Sequence, residues 1–240
     1  MYQGRRIIAI VPAYNEEQKI SQVVARTPRD IVDCLLVVDD GSTDRTAEAA
    51  RTGGADVLSL GKMLGVGSAL RSGLNVARQK RFDIAVIMAG NNKDNPAEIP
   101  RLLDPICSEQ HDLVIGSRFL GGGGYGGDMP AYRKLATRLH PWLMSLVTSK
   151  RLTETTNGFR AIRVSCLDDS RIRLDQRWLD GYGLEVYLLY KMIVCGYRHT
   201  EVPCTKIYPP KKLGITKMKP VVGWWDILRP VFLLGLGLRR

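Results

Sequence analysis

The sequence predicts an α/β fold built on a doubly wound, mostly parallel sheet, and two observations carry that prediction. Short apolar runs at Ile7–Val11, Cys34–Val38, Asp56–Leu60, Ile84–Met88 and Leu113–Gly116 alternate with helical patterns at Glu17–Arg26, Thr43–Arg51, Val66–Arg78 and Ala97–Cys107. Such strand–helix alternation signals βαβ units around a parallel sheet. The first two runs also end in segments dense in acids and amides, Val11-Pro-Ala-Tyr-Asn-Glu-Glu17 and Val37-Val-Asp-Asp-Gly-Ser-Thr-Asp44. Open α/β sheets bind ligands just outside the carboxyl ends of their strands, so these segments mark a ligand site.

The elements follow in chain order. Pro12 sets the exit of the first strand, and Asn15 can cap the helix that follows, with Glu16 and Glu17 on its positive end. Ser42-Thr43-Asp44 precedes the apolar Ala47, Ala49 and Ala50 and reads as the start of the second helix. Residues 119–130 are dense in glycine, which allows positive φ and suits either a lid or a plain connector. A long amphipathic stretch from Ala131 to Lys150 is kinked at Pro141, and the end of the chain holds Trp224, Trp225, the apolar run Val231–Leu238 and arginines. With neither repeat nor clear linker, one domain over residues 1–220 is expected, followed by an amphipathic membrane-contact tail over 221–240.

At 240 residues the chain can enclose a sizeable core. Its net charge of +11 favours anionic partners: nucleic acid, nucleotide sugars, lipid phosphates or a membrane surface. Nucleic acid is disfavoured, since only 4 Phe and 4 Trp are available to interleave a basic stripe. The 5 cysteines are scattered without CxxC spacing and read as core residues of a reducing compartment. No signal peptide is expected, and no apolar run reaches the roughly 18 residues of a membrane-spanning helix.

Tyr14, Asn15 and Glu16 offer a stacking face, an amide and a carboxylate for a base and a ribose. Asp39 and Asp40 are adjacent carboxylates whose repulsion a ligand's donors would relieve; the plainer alternative is a turn around Gly41. Gly65-Val-Gly-Ser-Ala-Leu70 is not a dinucleotide fingerprint, because Leu70 replaces the third glycine and a loop with Lys62 and Met63 precedes it. That demotes a nicotinamide-dependent dehydrogenase.

Taken together, VPAYNEE and VVDDGSTDRT resemble the nucleotide-binding half of family 2 glycosyltransferases with a GT-A fold. Gly116-Ser-Arg118, Thr153-Glu-Thr-Thr-Asn-Gly-Phe-Arg160, Gly181-Tyr-Gly-Leu-Glu185 and the segment Glu201–Lys217 narrow the resemblance to the dolichol-phosphate mannose/glucose synthase branch. The resemblance implies nucleotide contact by Pro12, Tyr14, Asn15 and Glu16, with Asp39 reading the base edge and Asp40 in support. It implies a close backbone approach to the nucleotide at Gly65 and Gly67, where Val66 stands in place of the usual lysine and Lys62 is a candidate for the missing charge. Arg118, Arg133, Arg160, Lys211, Lys212 and Lys217 are implied to meet donor or acceptor phosphate, Arg160 alternatively buttressing the acidic loops. Glu154 stands where the branch carries Asp, Asn157 replaces its Ser, and Glu185 is a base, an orienting group or a surface residue.

The sequence departs most from the resembled pattern after the fourth strand. Relatives read Met-Asp-Ala-Asp-Gly-x-His-x-Pro, whose aspartates hold a divalent cation on the donor diphosphate; here the stretch is Met88-Ala-Gly-Asn-Asn-Lys-Asp-Asn-Pro96. The two aspartates become Ala89 and Asn91, and Lys93 takes a position that often assists the metal. A hard cation loses most of its affinity when carboxylates become a methyl and an amide. Three readings stay open: Lys93 supplies the positive charge and no metal is needed; a displaced Mg²⁺ or Mn²⁺ site uses Asn91, Asn92 and Asp94; or the transferase is inactive.

The function expected from the resemblance is inverting transfer of a glucose- or mannose-type sugar from a UDP- or GDP-sugar to polyprenyl phosphate. Lys93, Asn91, Asp94, Arg118 and Glu154 are the candidate catalytic residues. An ionised phosphate attacks without a strong base, so the site must hold two anions together and stabilise the leaving diphosphate. Basic amphipathic helices with Trp suit a peripheral position on the inner, cytoplasmic face of a membrane. The alternatives are a transferase with a soluble or carbohydrate acceptor, and a silent nucleotide-sugar-binding protein.

Overall fold

The computed structural model describes residues 1–127, 129, 131–208 and 220–239, with the side chains of 131–133 and 220–224 outside that description. The strands are β1 (Ile7–Ala13), β2 (Cys34–Asp39), β3 (Asp56–Ser59), β4 (Ile84–Ile87), β5 (Leu113–Ser117), β6 (Gly124–Gly127), β7 (Arg160–Arg163), β8 (His199–Pro203) and β9 (Thr205–Tyr208). The helices are α1 (Glu17–Arg26), α2 (Thr46–Thr52), α3 (Val66–Gln79), α4 (Ile99–Cys107), α5 (Ala131–Thr148), α6 (Gly183–Val194) and α7 (Pro220–Gly235).

Seven strands form one sheet in the order β3-β2-β1-β4-β7-β5-β8. Its pairs are parallel except where β7 runs antiparallel between β4 and β5. The central strands β1, β4 and β5 are apolar almost throughout because the sheet is covered on both faces. Ile8 and Ile10 of β1 enter one core with Leu70 and Leu74 of α3, Met144 of α5, Tyr187 of α6 and Val231 and Leu234 of α7. Ile7, Ala9 and Val11 enter the other with Ile20 and Val24 of α1 and Leu102 and Ile106 of α4. Alternation along one strand therefore feeds two cores.

Three local outcomes differ from the sequence reading. Asn15 does not cap α1: it sits at φ 50° while Glu16 occupies the cap position. The second helix begins at Thr46, because Asp44 Oδ1 accepts the Thr46 N–H at 3.0 Å and so stands before the first turn. The glycine-dense loop contains β6, which pairs in parallel with β9. The segment expected as an appended tail is mostly α7, and with Val231 and Leu234 buried it is also a wall of the domain. No helix among the described residues is long and apolar enough to cross a membrane.

Candidate active site

A cavity of about 520 Å³ opens at the carboxyl ends of β1, β2, β4 and β5. Pro12, Tyr14, Glu16 and Asp40 line one side of it, and Lys93, Arg118, Lys206 and Tyr208 another. Helices α5, α6 and α7 close the third, through His140, Glu185 and Asp226 among others. The β1 and β2 loops bring Glu16 and Asp40, with Lys19 paired to Glu16 at 3.0 Å, and β4, β5 and β9 bring the cations Lys93, Arg118 and Lys206.

The acidic loops are held open by each other. Asn15 Oδ1 accepts the Thr43 N–H at 2.8 Å, Ser42 Oγ accepts the Asn15 N–H at 2.9 Å, and Thr46 Oγ1 accepts the Glu16 N–H at 2.8 Å. Asn15 thus ties the β1 and β2 loops together, leaving Tyr14 and Glu16 on the cavity wall. Asp39 Oδ1 accepts the Ser42 N–H at 3.1 Å and shapes the turn. Asp40, not Asp39, is the carboxylate that lines the cavity, where it accepts the N–H groups of Leu64 (2.7 Å) and Gly65 (2.9 Å). Burial pushes the Asp40 carboxyl above its usual range, against the pull of those two amides and with the neighbouring Asp39 adding to the rise. Asp39 thus serves the turn around Gly41, while Asp40 is engaged by the amides of a loop 24 positions away.

Gly65 lines the cavity, and the backbone that approaches both Gly65 and Gly67 in this structure is that of residues 179–181. A Cβ at Gly65, which has φ 107°, would lie 2.3 Å from the Asp180 carbonyl oxygen, and one at Gly67 would lie 1.9 Å from that of Leu179. Asp180 O also accepts the Gly67 N–H at 2.8 Å and the Ser68 N–H at 3.2 Å. The glycines let α3 pack against the 179–181 segment, whose carbonyl consumes the amides that would otherwise greet a phosphate. Lys62 is exposed and does not line the cavity.

The loop after β4 does not suit a divalent cation. Ala89 offers no side-chain ligand atom, and Asn91 Oδ1 accepts the Lys93 N–H at 3.3 Å. Both Asp94 oxygens are engaged: Oδ2 accepts the Ala89 N–H at 3.0 Å and Oδ1 faces Lys206 Nζ at 2.6 Å. Among the described residues no group of three or more His, Cys, Asp or Glu side chains could hold a metal ion. The displaced site built on Asn91 and Asp94 is therefore corrected, because its one carboxylate is spent on an internal lysine. Lys93 lines the cavity with Nζ 5.3 Å from the Tyr208 ring centroid.

Arg118 and Glu154 form a buried pair at 2.6 Å, with side chains 2% and 0% exposed. Arg118 spends three N–H donors on Glu154, Tyr208 Oη (2.8 Å) and Thr156 Oγ1 (2.9 Å). Glu154 in turn accepts from the N–H groups of Thr155, Thr156 and Asn157. Burial alone would raise the Glu154 pKa, but the Arg118 charge and these hydrogen bonds outweigh it and hold the carboxyl below its usual range. Burial likewise works against the Arg118 charge, and Glu154 overcomes it. Glu154 is thus a positioning residue rather than a catalytic one, since it does not reach the cavity. Arg118 reaches the wall with its charge already balanced, not as an open phosphate fork.

Arg160 is also corrected as a phosphate ligand. It is 1% exposed and donates to the carbonyls of Asn157 (2.6 Å) and Glu185 (3.0 Å), so it buttresses the site from behind. Burial lowers its pKa, partly offset by the charges of Glu185 and Glu154. The Arg133 side chain and Lys211, Lys212 and Lys217 lie outside the described residues.

Lys206 and His140 are among the cavity residues that escaped the sequence reading. Lys206 is 9% exposed and bonded to Asp94 and, at 2.7 Å, to Asn157 Oδ1. Its signal was period-2 alternation: Cys204, Lys206 and Tyr208 are buried while Ile207 is 63% exposed. His140 hydrogen-bonds Thr155 Oγ1 through Nδ1 (2.7 Å) and the Ile227 carbonyl through Nε2 (3.2 Å), linking α5 to α7. No local motif announces it.

Known proteins resemble this chain along nearly its whole length. It is 34% identical over 223 residues to an undecaprenyl-phosphate mannosyltransferase of Micrococcus luteus, covering 89% of this chain and 87% of that protein. It is 31% identical to a dolichyl-phosphate hexose transferase of Haloferax volcanii (90% and 88% covered) and 29% identical to a polyprenol monophosphomannose synthase of Mycolicibacterium smegmatis (89% and 81%). Among solved structures, glucosyl-3-phosphoglycerate synthase from Mycobacterium tuberculosis, in complex with Mn²⁺, UDP and product, superposes with a TM-score of 0.73. That match covers 99% of this chain and 82% of the other at 23% identity, so it speaks to the GT-A fold. The profile described as "Glycosyl transferase family 2" matches residues 8–170, and with the relatives above it establishes that this chain belongs to family 2 of the glycosyltransferases.

Proposed function

We propose that this glycosyltransferase moves a hexose from a nucleotide sugar to polyprenyl phosphate at the inner membrane face, with inversion and without a divalent cation. One observation carries the lipid acceptor: the helices that wall the cavity also present an apolar outer face. Thr137 and His140 of α5 and Asp226 and Ile227 of α7 line the cavity. On the same helices Leu135 (70%), Trp142 (58%), Leu146 (59%) and Trp225 (56%) are exposed, with Lys134 and Arg138 beside them on α5. A basic, Trp-bearing apolar stripe fits the headgroup region of an anionic bilayer. An acceptor whose tail lies in that bilayer then has its phosphate beside the cavity. The names of the relatives support the same acceptor.

In this reading Tyr14, Glu16 and Asp40 flank the base and ribose of the donor. A phosphate oxygen of the acceptor attacks the anomeric carbon as its bond to the diphosphate oxygen breaks, giving the glycosyl phosphate lipid and a nucleoside diphosphate. The acceptor is already ionised, so no strong base is required; the need is for charge on the leaving group. Lys93 supplies it, where the resembled pattern would place a cation. Lys211, Lys212 and Lys217 are proposed to clamp phosphate, and a single displacement inverts the anomeric centre.

The test uses the full chain with undecaprenyl phosphate in anionic vesicles and a panel of UDP- and GDP-sugars. Nucleoside diphosphate release is expected only with the lipid phosphate and at the same rate in EDTA as in Mg²⁺ or Mn²⁺. Equal release without lipid overturns the acceptor, loss of release in EDTA overturns metal independence, and retained configuration overturns the single displacement.

A further inference from the structure

We infer that Lys206 and Asp94 form an internal cross-link that orders the β4 loop and thereby positions Lys93 against the leaving diphosphate. This rests on the metal-free reading of the active site and assigns to Lys206 a role that the pattern of the resembled family does not contain. A metal in this loop would do two things, gathering the loop and neutralising phosphate. Here the two tasks fall to two different lysines.

The outer side of the loop is held by α1, where Arg26 donates to Asn92 Oδ1 (2.9 Å) and Asn95 Oδ1 (3.0 Å) and Asn92 donates to Gln22 (2.6 Å); the cavity side, which carries Lys93, is held by Asp94 and Lys206. Residues 89–95 are Ala-Gly-Asn-Asn-Lys-Asp-Asn, and Asn92 sits at φ 56°. Asp94 closes this segment into a ring, accepting the Ala89 N–H at its start through Oδ2 and facing Lys206 Nζ from Oδ1. Lys206 is anchored a second time by Asn157 Oδ1, and the Asn157 amide nitrogen donates to the Gly116 carbonyl at 2.8 Å. The cross-link thus runs from the β4 loop through β9 to the end of β5.

Backbone pairing places Lys93 within the same clamp. Asp94 and Lys206 form an antiparallel bridge, and the Ile207 N–H donates to the Lys93 carbonyl at 2.9 Å. Held there, the Lys93 ammonium lies 5.3 Å from the Tyr208 ring centroid, and the Tyr208 hydroxyl is fixed by Arg118. Two departures from the resembled pattern meet in this network beside Lys93: Asp94 where the pattern has His, and Asn157 where it has Ser. A buried ion pair is weak evidence for stability, because desolvation offsets its attraction. Its recognised use is to fix one arrangement among several, which is what a lysine aimed at a transient charge needs.

The decisive experiment titrates UDP and GDP into the full chain in EDTA by calorimetry, with near-UV circular dichroism as the check on folding. Lys93→Met is expected to weaken the better-bound nucleotide about tenfold. The double variant Asp94→Leu/Lys206→Met, which exchanges the pair for apolar groups and so keeps the fold, is expected to weaken it by a similar factor. The triple variant should lose no more than the worse of the two, because both changes disable one device. Turnover should show the same split, with kcat falling more than the donor KM. Asn157→Ser, which leaves the ion pair intact, gives a second arm with an expected loss of about threefold. Binding within twofold of wild type in the double variant overturns the inference, as does a triple variant whose losses multiply. Wild-type protein that binds neither nucleotide at millimolar concentration overturns the nucleotide-sugar reading itself and this inference with it.

Discussion

Arg118–Glu154 and Lys206–Asp94 are both ion pairs at 2.6 Å, yet they face different media. In the first the side chains are 2% and 0% exposed, and Glu154 is wrapped by the amides of residues 155–157. In the second they are 11% and 3% exposed, and Lys206 forms part of the cavity wall. Arg118 reaches the cavity wall as well, but its guanidinium is spent on Glu154, Tyr208 and Thr156, and Glu154 lies behind it. In the second, Lys206 borders the cavity and holds the inner side of a loop whose outer side is tied to α1 through Arg26 and Gln22. Charge at a site is thus no guide to its task; access and the partners already made are.

Breaking the first pair should do the most damage. Glu154→Gln leaves a buried guanidinium without its counter-charge and is expected to cost about 3–5 kcal/mol in urea unfolding. Lys206→Met is expected to cost less, about 1–3 kcal/mol, because Asp94 keeps the Ala89 N–H. A loss equal to that of Glu154→Gln would remove the distinction between the pairs. Lys93→Met sharpens it from the other side: stability should stay within about 0.5 kcal/mol while kcat falls roughly 10²- to 10³-fold in steady-state assays.

The smallest effect concerns pH. Burial lowers the His140 pKa below its ordinary 6.5, against the pull of the Ile227 carbonyl. Between the folded and unfolded values the unfolded chain binds more protons, so this contribution is full above the unfolded value and is lost as pH falls through the folded one. Melting scans between pH 7.5 and 5.5 should therefore show stability falling with acid, and His140→Asn should flatten the slope. Burial shifts His199 in the same direction, so part of the slope should persist in the variant.

The loop chemistry was legible in part. Tyr14, Glu16 and Asp40 reach the cavity from the two acid-rich segments, because strand ends in such a sheet converge on one edge. The sequence reading put Asp39 on the base edge and Asp40 in support, whereas Asp40 lines the cavity: which of two neighbouring carboxylates faces inward depends on where the Leu64 and Gly65 amides arrive from a distant loop. Gly65 and Gly67 were legible as sites of close approach but not as to what approaches, which is the backbone of residues 179–181. Arg118, Glu154 and Arg160 stood out as motif residues, and motif membership does not separate a ligand contact from a buried support.

By itself the sequence determined the alternating strands and helices, the edge of the sheet where the site lies, and the loss of the carboxylates that would hold a cation. Those are matters of local pattern and residue chemistry, read within a few positions of one another. Tertiary structure alone decided that Lys206 meets Asp94 across 112 positions of chain and that His140 joins α5 to α7. It also decided that the last helix is a wall of the cavity as well as an exposed apolar face. Such pairings arise because folding brings remote segments to one low-dielectric place where each buried polar group must find a partner, and no short stretch of sequence records which partner that will be.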